Sequence, residues 1–441
     1  TRTKELTLPG FFHDVCAAAH PMGILSPYLR TLPLRDYGLE WIKPEASVAH
    51  PLDDEPAVML WRSLERTSAD LGVDAQAYRE LIAPFLDRPQ SLFADLMAPF
   101  GFPRRPLTML RFGLTAIRSA QKVARGRFRG ERARALFAGC AGHSIMPLEH
   151  RLTAALGLIF CVSGHLEEWP VARGGSQAIS NSMAGYLRDL GGTIETGRTV
   201  QGMDDLPPAG AYLFDTSPAG LIRIAGSQLP NRYVRRLERY RYGPGVFKID
   251  WALDGPIPWR DPNCLKASTV HLGGQLDEIA TAEAAMWRGE HPERPFTLLC
   301  QQSQFDPSRA PPGMHTGYAY CHVPNGSDVD LTEAIEDQVQ RFAPGFKDRI
   351  LARHTMTTSA FERYNPNYSG GAITGGVADL MQLFSRPVLR WNPYTTPHPQ
   401  IFMCSASTPP GGGVHGMCGY YAAKVVARRM RAPFGARLAL D

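Results

Sequence analysis

Apolar and polar positions divide the chain into three kinds of segment. Between residues 57 and 165, apolar residues mostly recur at helical spacing, and prolines interrupt the pattern. Three later runs, GVFKIDWAL (245–253), FTLLCQQ (296–302) and HTGYAYCHVP (315–324), are rich in β-branched and aromatic residues, which predicts a mostly antiparallel sheet. Residues 331–356 predict a helix followed by a strand.

Glycine turns followed by helices stand on both sides of these strands. The first, RGGSQAISNSMAGYLRDLGGTIETGRTV (173–200), predicts a helix with Ser176 as its N-cap and then a strand. The run AYLFDTSP (211–218) predicts another strand. The second glycine turn (411–416) follows the apolar run IFMCSAS, and we expect the helix after it to reach about Met430. The order predicts an α/β plus α+β protein, in which a substrate domain splits a nucleotide-binding domain.

The second turn has the spacing G-x-G-x-x-G at Gly411, Gly413 and Gly416. A complete dinucleotide-binding unit also needs a second strand that ends in an acidic residue about twenty positions on. Only ARLALD follows here, ending at Asp441, so we interpret the turn as half of a site. Glycines permit close approach of a ligand, and a helix N-terminus suits a phosphate or the electron-rich edge of a flavin. A tight turn that serves packing alone remains the alternative.

Composition excludes several classes of protein. The chain has 441 residues, of which 44% are apolar and 20% charged, as in a soluble globular protein with more than one simple core. Its eight cysteines form no C-x-x-C pair, which favours reduced, buried thiols in a cytoplasmic protein over disulfides or a metal site. The sequence has no nucleophile elbow, P-loop or zinc-protease motif.

The net charge is only +5, but one segment concentrates the basic residues. Residues 104–134 contain ten basic residues and one acidic residue, Glu131. Apolar residues recur at helical spacing from Leu107 to Ile117, and arginines recur every seven residues beside them. Our first interpretation is a solvent-facing helix on a lid; a membrane-surface patch and a site for an anionic ligand remain open. Because no nucleic-acid-binding fold accompanies the segment, we expect no nucleic-acid partner.

Longer motifs carry a resemblance to a known family. NPNYSGGAITGG (365–376), SRPVLRWNPYTTPHP (385–399) and IFMCSASTPPGGGVHGMCGYYAA (401–423) resemble the C-terminal part of the phytoene-dehydrogenase-like FAD-dependent oxidoreductases. The branch is that of the pyridine nucleotide-disulfide oxidoreductase domain proteins, relatives of carotenoid desaturases and retinol saturase. RYGPGVFKIDWALDGPIPWRDP (241–262) and the opening TRTKELTLPGFFHDVCAAAHP resemble the same branch.

The resemblance implies a split FAD-binding domain of the glutathione-reductase-like kind, with an inserted substrate domain of antiparallel sheet and helices. It assigns residues 1–30, 170–240 and 395–432 to the FAD-binding domain, and residues 31–169 and 241–394 to the substrate or cap domain. It implies that FAD is the cofactor, and that these residues contact it: Arg2, Thr3, Gly174, Gly175, Val200, Ser407, Gly411, Gly412, Gly413, Val414, His415, Gly416 and Met417.

Few side chains suggest further chemistry. His415 lies inside the glycine turn and has two open roles: a catalytic donor near the flavin or substrate, or a cap of the following helix. We interpret His13, Asp14 and His20 as structural, because side chains adjacent in sequence rarely face each other.

In the family, a strand, G-x-G-x-x-G, a helix and a second strand precede the motif that Arg2 and Thr3 match. The sequence begins at Thr1, and we expect that unit to have been removed or left out rather than lost. The expected activity is hydride transfer between FAD and a small apolar, lipid-like or polyene substrate, as in desaturases and saturases. We expect a cytoplasmic enzyme that touches membranes through residues 104–134. A flavin-free scaffold on the same fold and an amine or alcohol oxidase remain the alternatives.

Overall fold

The computed structural model describes residues 1–431. The strands are β1 Thr3–Glu5, β2 Phe12–Asp14, β3 Trp41–Ile42, β4 Ala46–His50, β5 Val58–Trp61, β6 Val171–Ala172, β7 Tyr212–Phe214, β8 Gly245–Leu253, β9 Ala267–Leu272, β10 Thr297–Cys300, β11 His315–Val323, β12 Ile350–Met356 and β13 Ile401–Met403. The helices are α1 Pro21–Ile24, α2 Leu64–Asp70, α3 Ala75–Ile82, α4 Pro89–Leu96, α5 Pro106–Ala116, α6 Ala120–Arg127, α7 Glu131–Gly142, α8 Thr153–Glu167, α9 Gln177–Asp189, α10 Pro218–Ala225, α11 Asn231–Leu237, α12 Leu276–Trp287, α13 Thr332–Phe342, α14 Thr358–Tyr364, α15 Leu380–Ser385 and α16 Met417–Arg431.

Seven strands form one sheet in the order β12-β8-β11-β10-β9-β4-β5. Neighbouring strands run antiparallel, except that β4 and β9 are parallel. The mostly antiparallel sheet expected from the sequence is therefore confirmed, with β8, β10 and β11 at its centre. Every residue of β8 is buried, which explains why apolar side chains occupy both of its faces, except for Lys248 and Asp250.

Alternate strand residues supply two hydrophobic clusters, one on each face of the sheet. One cluster lies between the sheet and helices that include α7 and α8. Helix α7 is buried from Ala135 to Gly142 because its alanines and glycines let it lie close to its neighbours. The other cluster includes Trp251 of β8 and Phe346.

A smaller group of elements comes from both ends of the chain. Strands β1 and β2 form an antiparallel pair, whereas β7 and β13 run parallel. The strands expected in 211–218 and before the second glycine turn are thus confirmed, as is the helix after that turn, α16. Helix α10 begins at Pro218, directly after β7, and its buried face packs against β7 and β13.

Residues 57–165 are mostly helical, as expected, since they contain helices α2 to α8 and only one strand, β5. Two local expectations are wrong. Residues 193–200 form no strand: they are largely exposed and pair with no described strand, so no ladder of hydrogen bonds can form. Ser176 does not cap α9, since its Oγ donates to the carbonyl oxygen of Ala17 at 2.5 Å instead.

Other features of the described residues concern the sequence expectations without deciding them. No helix within residues 1–431 is long and apolar enough to cross a membrane. All eight cysteines are free thiols, and six of them are buried. ARLALD, Asp441 and residue 432 of the expected FAD-binding domain lie outside the described residues, and the division into two domains stays a prediction.

Candidate functional site

The second glycine turn connects β13 to α16 and is open to solvent along one side. Gly412, Gly413 and Gly416 are exposed, whereas His415 and Met417 are buried. Gly413 has a φ of +137°, a conformation that residues with a side chain rarely adopt. The sequence G-x-G-x-x-G therefore reflects, at least at Gly413, a backbone shape that requires glycine.

The opposite side of the turn packs against protein. A Cβ atom on Gly412 would lie 2.5 Å from the carbonyl oxygen of Thr374, and one on Gly411 would lie 2.9 Å from Nη1 of Arg386. A Cβ atom on Gly413 would lie 2.9 Å from Cδ2 of His415. The Cβ positions of these three glycines therefore face protein.

Several peptide groups of the second turn are unpaired donors. No residue in the described part of the chain accepts a hydrogen bond from the amides of Gly412, Gly413 or Gly416. The amides of Cys418 and Gly419 lie in the first turn of α16, where an α-helix provides no acceptor. The helix dipole adds positive potential at the same place. The turn and the start of α16 therefore form a row of donors suited to an acceptor-rich ligand edge or an anion.

His415 fixes the start of α16. Its Nδ1 accepts a hydrogen bond from the amide of Met417 at 3.0 Å. Burial lowers the pKa of His415 to about 4, so the ring is neutral near pH 7 and Nδ1 is free to accept. Of the two roles that the sequence left open for His415, the structure shows the capping role. The catalytic role stays a prediction.

The opening segment of the chain holds the turn in place. Oγ of Ser26 donates to the carbonyl oxygen of His415 at 2.6 Å. Gly23 of α1 lies so close to the turn that a Cβ atom on it would be 3.1 Å from the carbonyl oxygen of Val414. Helix α1 and the glycine turn therefore form one contiguous surface, although they are nearly 400 residues apart.

A buried carboxylate organises the other predicted cofactor residues. Oδ1 of Asp14 accepts hydrogen bonds from Oγ1 of Thr3 at 2.8 Å and from the amide of Ser176 at 2.7 Å. Oδ2 of Asp14 lies 3.0 Å from Nη2 of Arg309, and both side chains are almost completely buried. Burial alone would raise the pKa of Asp14, but the Arg309 guanidinium and the two donors hold it below its usual range.

Thr3 connects this carboxylate to the first glycine turn. Its Oγ1 accepts a hydrogen bond from the amide of Gln177 at 3.1 Å, so Thr3 supplies the cap of α9. A Cβ atom on Gly175 would lie 2.6 Å from Cγ2 of Thr3, which means that Thr3 itself fills the space beside this glycine. The amide of Gly174 donates to Oδ2 of Asp306 at 2.7 Å. Thr3, Gly174 and Gly175 are thus brought together by contacts within the protein.

His20 joins this cluster to the second glycine turn. Its Nε2 lies 3.2 Å from Oγ of Ser176, and its carbonyl oxygen accepts a hydrogen bond from the amide of Gly23 at 3.1 Å. Burial lowers the pKa of His20 to about 4. Its Nδ1 is buried and has no partner among residues 1–431. A continuous set of contacts therefore runs from Thr3 to the second turn.

Three predicted cofactor residues lie apart from this set. Ser407 is buried, and its Oγ donates to the carbonyl oxygen of Gly375 at 3.0 Å. Arg2 is exposed, with its guanidinium 5.1 Å from the ring centre of Tyr364. Val200 packs in the cluster between β7, β13 and α10. Their contacts with a cofactor stay predictions.

Sequence reasoning missed a second buried ionic group. Nζ of Lys248 lies 2.5 Å from both carboxylate oxygens of Asp250, and 4.5 Å from the ring centre of Tyr318. His13 points toward this pair, with Nδ1 3.6 Å from Asp250, whereas Asp14 points toward Thr3 and Arg309. The expectation that His13 and Asp14 do not face each other is confirmed. The signal for the pair was in the sequence, since two opposite charges alternate along an otherwise apolar strand.

A cavity of about 700 Å³ lies beside α1. Gly23, Ile24, Leu39 and Trp41 belong to its apolar lining. Charged residues complete the lining, among them Glu40, Glu167, Arg30 and Arg35. Because Gly23 contacts the second glycine turn, the cavity and the turn adjoin the same helix. The described residues contain no group of three His, Cys, Asp or Glu side chains arranged to hold a metal ion.

These residues fit part of FAD. The unpaired amides of the second turn match the acceptor-rich edge of a flavin ring. Nδ1 of His20 and Nη1 of Arg309 are buried atoms without a partner in the described part of the chain, as expected where a ligand completes the hydrogen bonding. The Cβ side of Gly175, in contrast, is filled by Thr3.

Comparison with known sequences identifies relatives along most of the chain. Pyridine nucleotide-disulfide oxidoreductase domain-containing protein 2 of Mus musculus is 29% identical over 352 residues, which make up 70% of this chain and 60% of that protein. A phytoene desaturase (lycopene-forming) of Pseudescherichia vulneris is 25% identical over 289 residues, covering 57% of this chain and 54% of that enzyme. The chain thus spans about 60% of the length of the mouse relative. No profile of a known protein family matches the sequence.

Solved structures share the fold over nearly the whole chain. An oxidoreductase from Methanosarcina mazei aligns with a TM-score of 0.62 at 14% identity, covering 95% of this chain and 90% of that one. A putrescine oxidase variant aligns with a TM-score of 0.60 at 15% identity, covering 97% and 90%. The predicted fold class, a split FAD-binding domain combined with an inserted sheet, is confirmed. The chain is therefore similar in sequence to pyridine nucleotide-disulfide oxidoreductase domain-containing protein 2 and to phytoene desaturase, which confirms the resemblance carried by its motifs.

Proposed function

We propose that the protein is an FAD-dependent oxidoreductase that transfers a hydride between FAD and an apolar, lipid-like or polyene substrate. The observation that carries the proposal is the second glycine turn, which turns unpaired amides outward at the start of α16. A flavin-free scaffold would have no reason to keep this backbone open. The names of the sequence relatives, an oxidoreductase domain protein and a phytoene desaturase, support the same class of reaction.

The protein's own residues bind and position the cofactor. The amides of Gly412, Gly413 and Gly416 would donate to the acceptor edge of the flavin, and the neutral His415 ring keeps the first turn of α16 in place. Ser26 holds the turn against α1 through its hydrogen bond to the carbonyl oxygen of His415. FAD, when bound, supplies the hydride chemistry.

The surroundings of the turn favour an apolar substrate. Met22 and Ile24 of α1, Ile159 and Phe160 of α8 and Tyr420 of α16 are all partly buried and pack on the same hydrophobic cluster. Apolar side chains of this kind exclude water and bind hydrocarbon without specific polar contacts. Hydride transfer to or from carbon in this setting needs no strong acid or base from the protein.

Amine oxidation is the second candidate, because putrescine oxidase shares the fold. An amine substrate is a cation, so it needs a free carboxylate or an aromatic cage. Glu40 and Glu167 line the cavity beside α1, but both are already ion-paired: Oε2 of Glu40 lies 2.7 Å from Arg173, and Oε2 of Glu167 lies 2.7 Å from Lys43. Neither of these two carboxylates is therefore free to pair with an ammonium group.

The test begins with the purified natural protein, its N-terminus defined by mass spectrometry. We expect a visible flavin spectrum, release of FAD on denaturation, and anaerobic bleaching of the flavin by a polyene but not by putrescine. Gly413→Ala should weaken FAD retention, whereas Gly191→Ala, at an open position with a φ of +84° on the exposed end of α9, should not. A colourless protein that takes up no added FAD would refute the proposal, and bleaching by amines alone would favour the oxidase.

A further inference from the structure

A row of leucines on α5 faces solvent. The side chains of Leu107, Leu110 and Leu114 are 83%, 59% and 65% exposed. The same helix buries Phe112 and Ala116, so it already packs one apolar face against the protein. The lid interpretation predicts a polar outer face. The structure instead shows a second apolar stripe, which no described residue covers.

Exposed apolar residues also precede α5 in the sequence and contact α15. The ring of Phe100 stacks on that of Phe384 in α15, with ring centres 4.5 Å apart. Met381 lies one helical turn before Phe384 and is 77% exposed. We call the combined patch the α5 surface: Phe100, Phe102, Leu107, Leu110, Leu114, Ile117, Met381 and Phe384, all of them exposed.

Basic side chains border the leucines. Arg111 and Arg118 are exposed. They directly follow Leu110 and Ile117 in the sequence, so each side chain lies about 100° further around the helix axis. Exposed basic residues continue along α6 and the loop after it, namely Lys122, Arg125, Arg127 and Arg129, of which Arg125 is paired with Asp277 at 2.5 Å. Long basic side chains extend their charged heads beyond an apolar surface while their stems lie along it. The α5 surface is therefore an apolar stripe with a positively charged border.

We propose that the α5 surface docks the protein onto an anionic lipid bilayer. The leucines and Phe102 enter the headgroup–acyl boundary, and the arginines contact the lipid phosphates. Charge complementarity selects a membrane as the occupant, because a helix with leucines on one stripe and arginines beside it matches acyl chains beneath a layer of negative charge. The attachment is peripheral, since no helix within residues 1–431 is long enough to span.

The position of this surface gives it a use. Arg104, at the start of α5, lies next to Tyr421 of α16, one turn after the second glycine turn. Docking therefore brings the candidate site close to the bilayer, from which an apolar substrate would enter. This consequence rests on the proposed function, whereas the docking does not, because vesicle binding requires no flavin.

The experiment is co-sedimentation of the protein with vesicles of phosphatidylcholine, with and without phosphatidylglycerol. We expect binding to the anionic vesicles that falls as salt rises. The double variant Leu110→Glu/Leu114→Glu should lower the partition coefficient at least about tenfold, because two leucine side chains no longer enter the bilayer. Leu190→Glu is the matched control, because Leu190 is 67% exposed on α9 and should leave binding unchanged. Arg111→Gln/Arg118→Gln should weaken binding to anionic vesicles only.

Other outcomes would overturn the proposal. They are absence of vesicle binding by the unaltered protein, or binding that the leucine variant retains. A protein that forms dimers split by Leu110→Glu/Leu114→Glu, without binding vesicles, would assign the surface to a second copy of the chain. Circular dichroism of each variant checks that these exposed substitutions leave the fold intact, and the arginine variant tests the charge without altering the apolar stripe.

Discussion

Replacing Gly175 by alanine should destabilise the protein far more than the same change at its neighbour Gly174. Gly175 has a φ of +107°, and an added Cβ atom would lie 2.6 Å from Cγ2 and 2.9 Å from Cβ of Thr3. The backbone strain costs about 1–3 kcal/mol. Displacing Thr3 also breaks its hydrogen bonds to Asp14 and Gln177, at about 1 kcal/mol each. We expect a loss of about 3–5 kcal/mol in the free energy of unfolding.

Gly174 provides the matched control. Its φ is +72°, and a Cβ atom there would have no heavy atom within 4 Å, so alanine should cost only about 1–2 kcal/mol of backbone strain. Urea unfolding followed by tryptophan fluorescence measures both variants, with thermal midpoints as a second measure if the transition is not two-state. Adding Thr3→Gly to Gly175→Ala removes the three atoms that the new Cβ would meet, namely Oγ1, Cγ2 and Cβ of Thr3. The double variant should therefore regain part of the lost free energy of unfolding.

The reasoning would be refuted if the alanine variants at 174 and 175 unfolded at the same urea concentration. It would also be refuted if the double variant lost the sum of the unfolding free energies that Thr3→Gly and Gly175→Ala each lose alone. The two sites would then be independent. Either result would mean that Thr3 does not fill the space beside Gly175.

Three further predictions concern buried polar groups. His415→Ala should lose the cap of α16 and about 1 kcal/mol of stability, whereas His415→Asn should retain the cap; a loss of turnover in His415→Asn with unchanged stability would instead indicate a catalytic role. The pKa values of His20 and His415 are lowered to about 4 by burial, so the unfolded chain binds protons first. The free energy of unfolding should thus be constant above pH ~6.5 and fall by about 1.4 kcal/mol per histidine per pH unit toward pH 4. Urea midpoints that do not change between pH 7.5 and 5 would contradict this. Arg309→Met leaves the Asp14 carboxylate buried without its cation and should cost about 3–5 kcal/mol, measured by urea unfolding; a cost within 1 kcal/mol would show that the pair is not desolvated.

The large elements were predictable because their residues carry the signal locally. Strands β8, β10 and β11 are buried on both faces, so every position favours β-branched or aromatic side chains. The second glycine turn was predictable for a similar reason: only glycine adopts the φ of Gly413 easily. The change from helical to strand patterns along the chain was also visible in the sequence.

The contacts that assemble the candidate site were not predictable in this way. Thr3 caps α9 across 174 residues of sequence, and Ser26 holds the carbonyl of His415 from the other end of the chain. Nothing near Arg309 shows that its guanidinium will meet Asp14. Ser176 looks like an N-cap, but its hydroxyl is used by Ala17 while Thr3 and Asp14 satisfy the helix amides. Local sequence shows which residues are able to cap or pair, and tertiary structure decides which of them do.

The parallel pairing of β4 with β9 has a consequence for how the chain folds as it is made. Ala46 is aligned with Ala267, so the hairpin of β4 and β5 has its permanent neighbour only after more than half of the chain has been synthesised. Until then one edge of an apolar hairpin is unpaired, a condition that invites association with other chains. Contacts this far apart in sequence also slow folding. We therefore expect nascent chains that end before β9 to depend on chaperones.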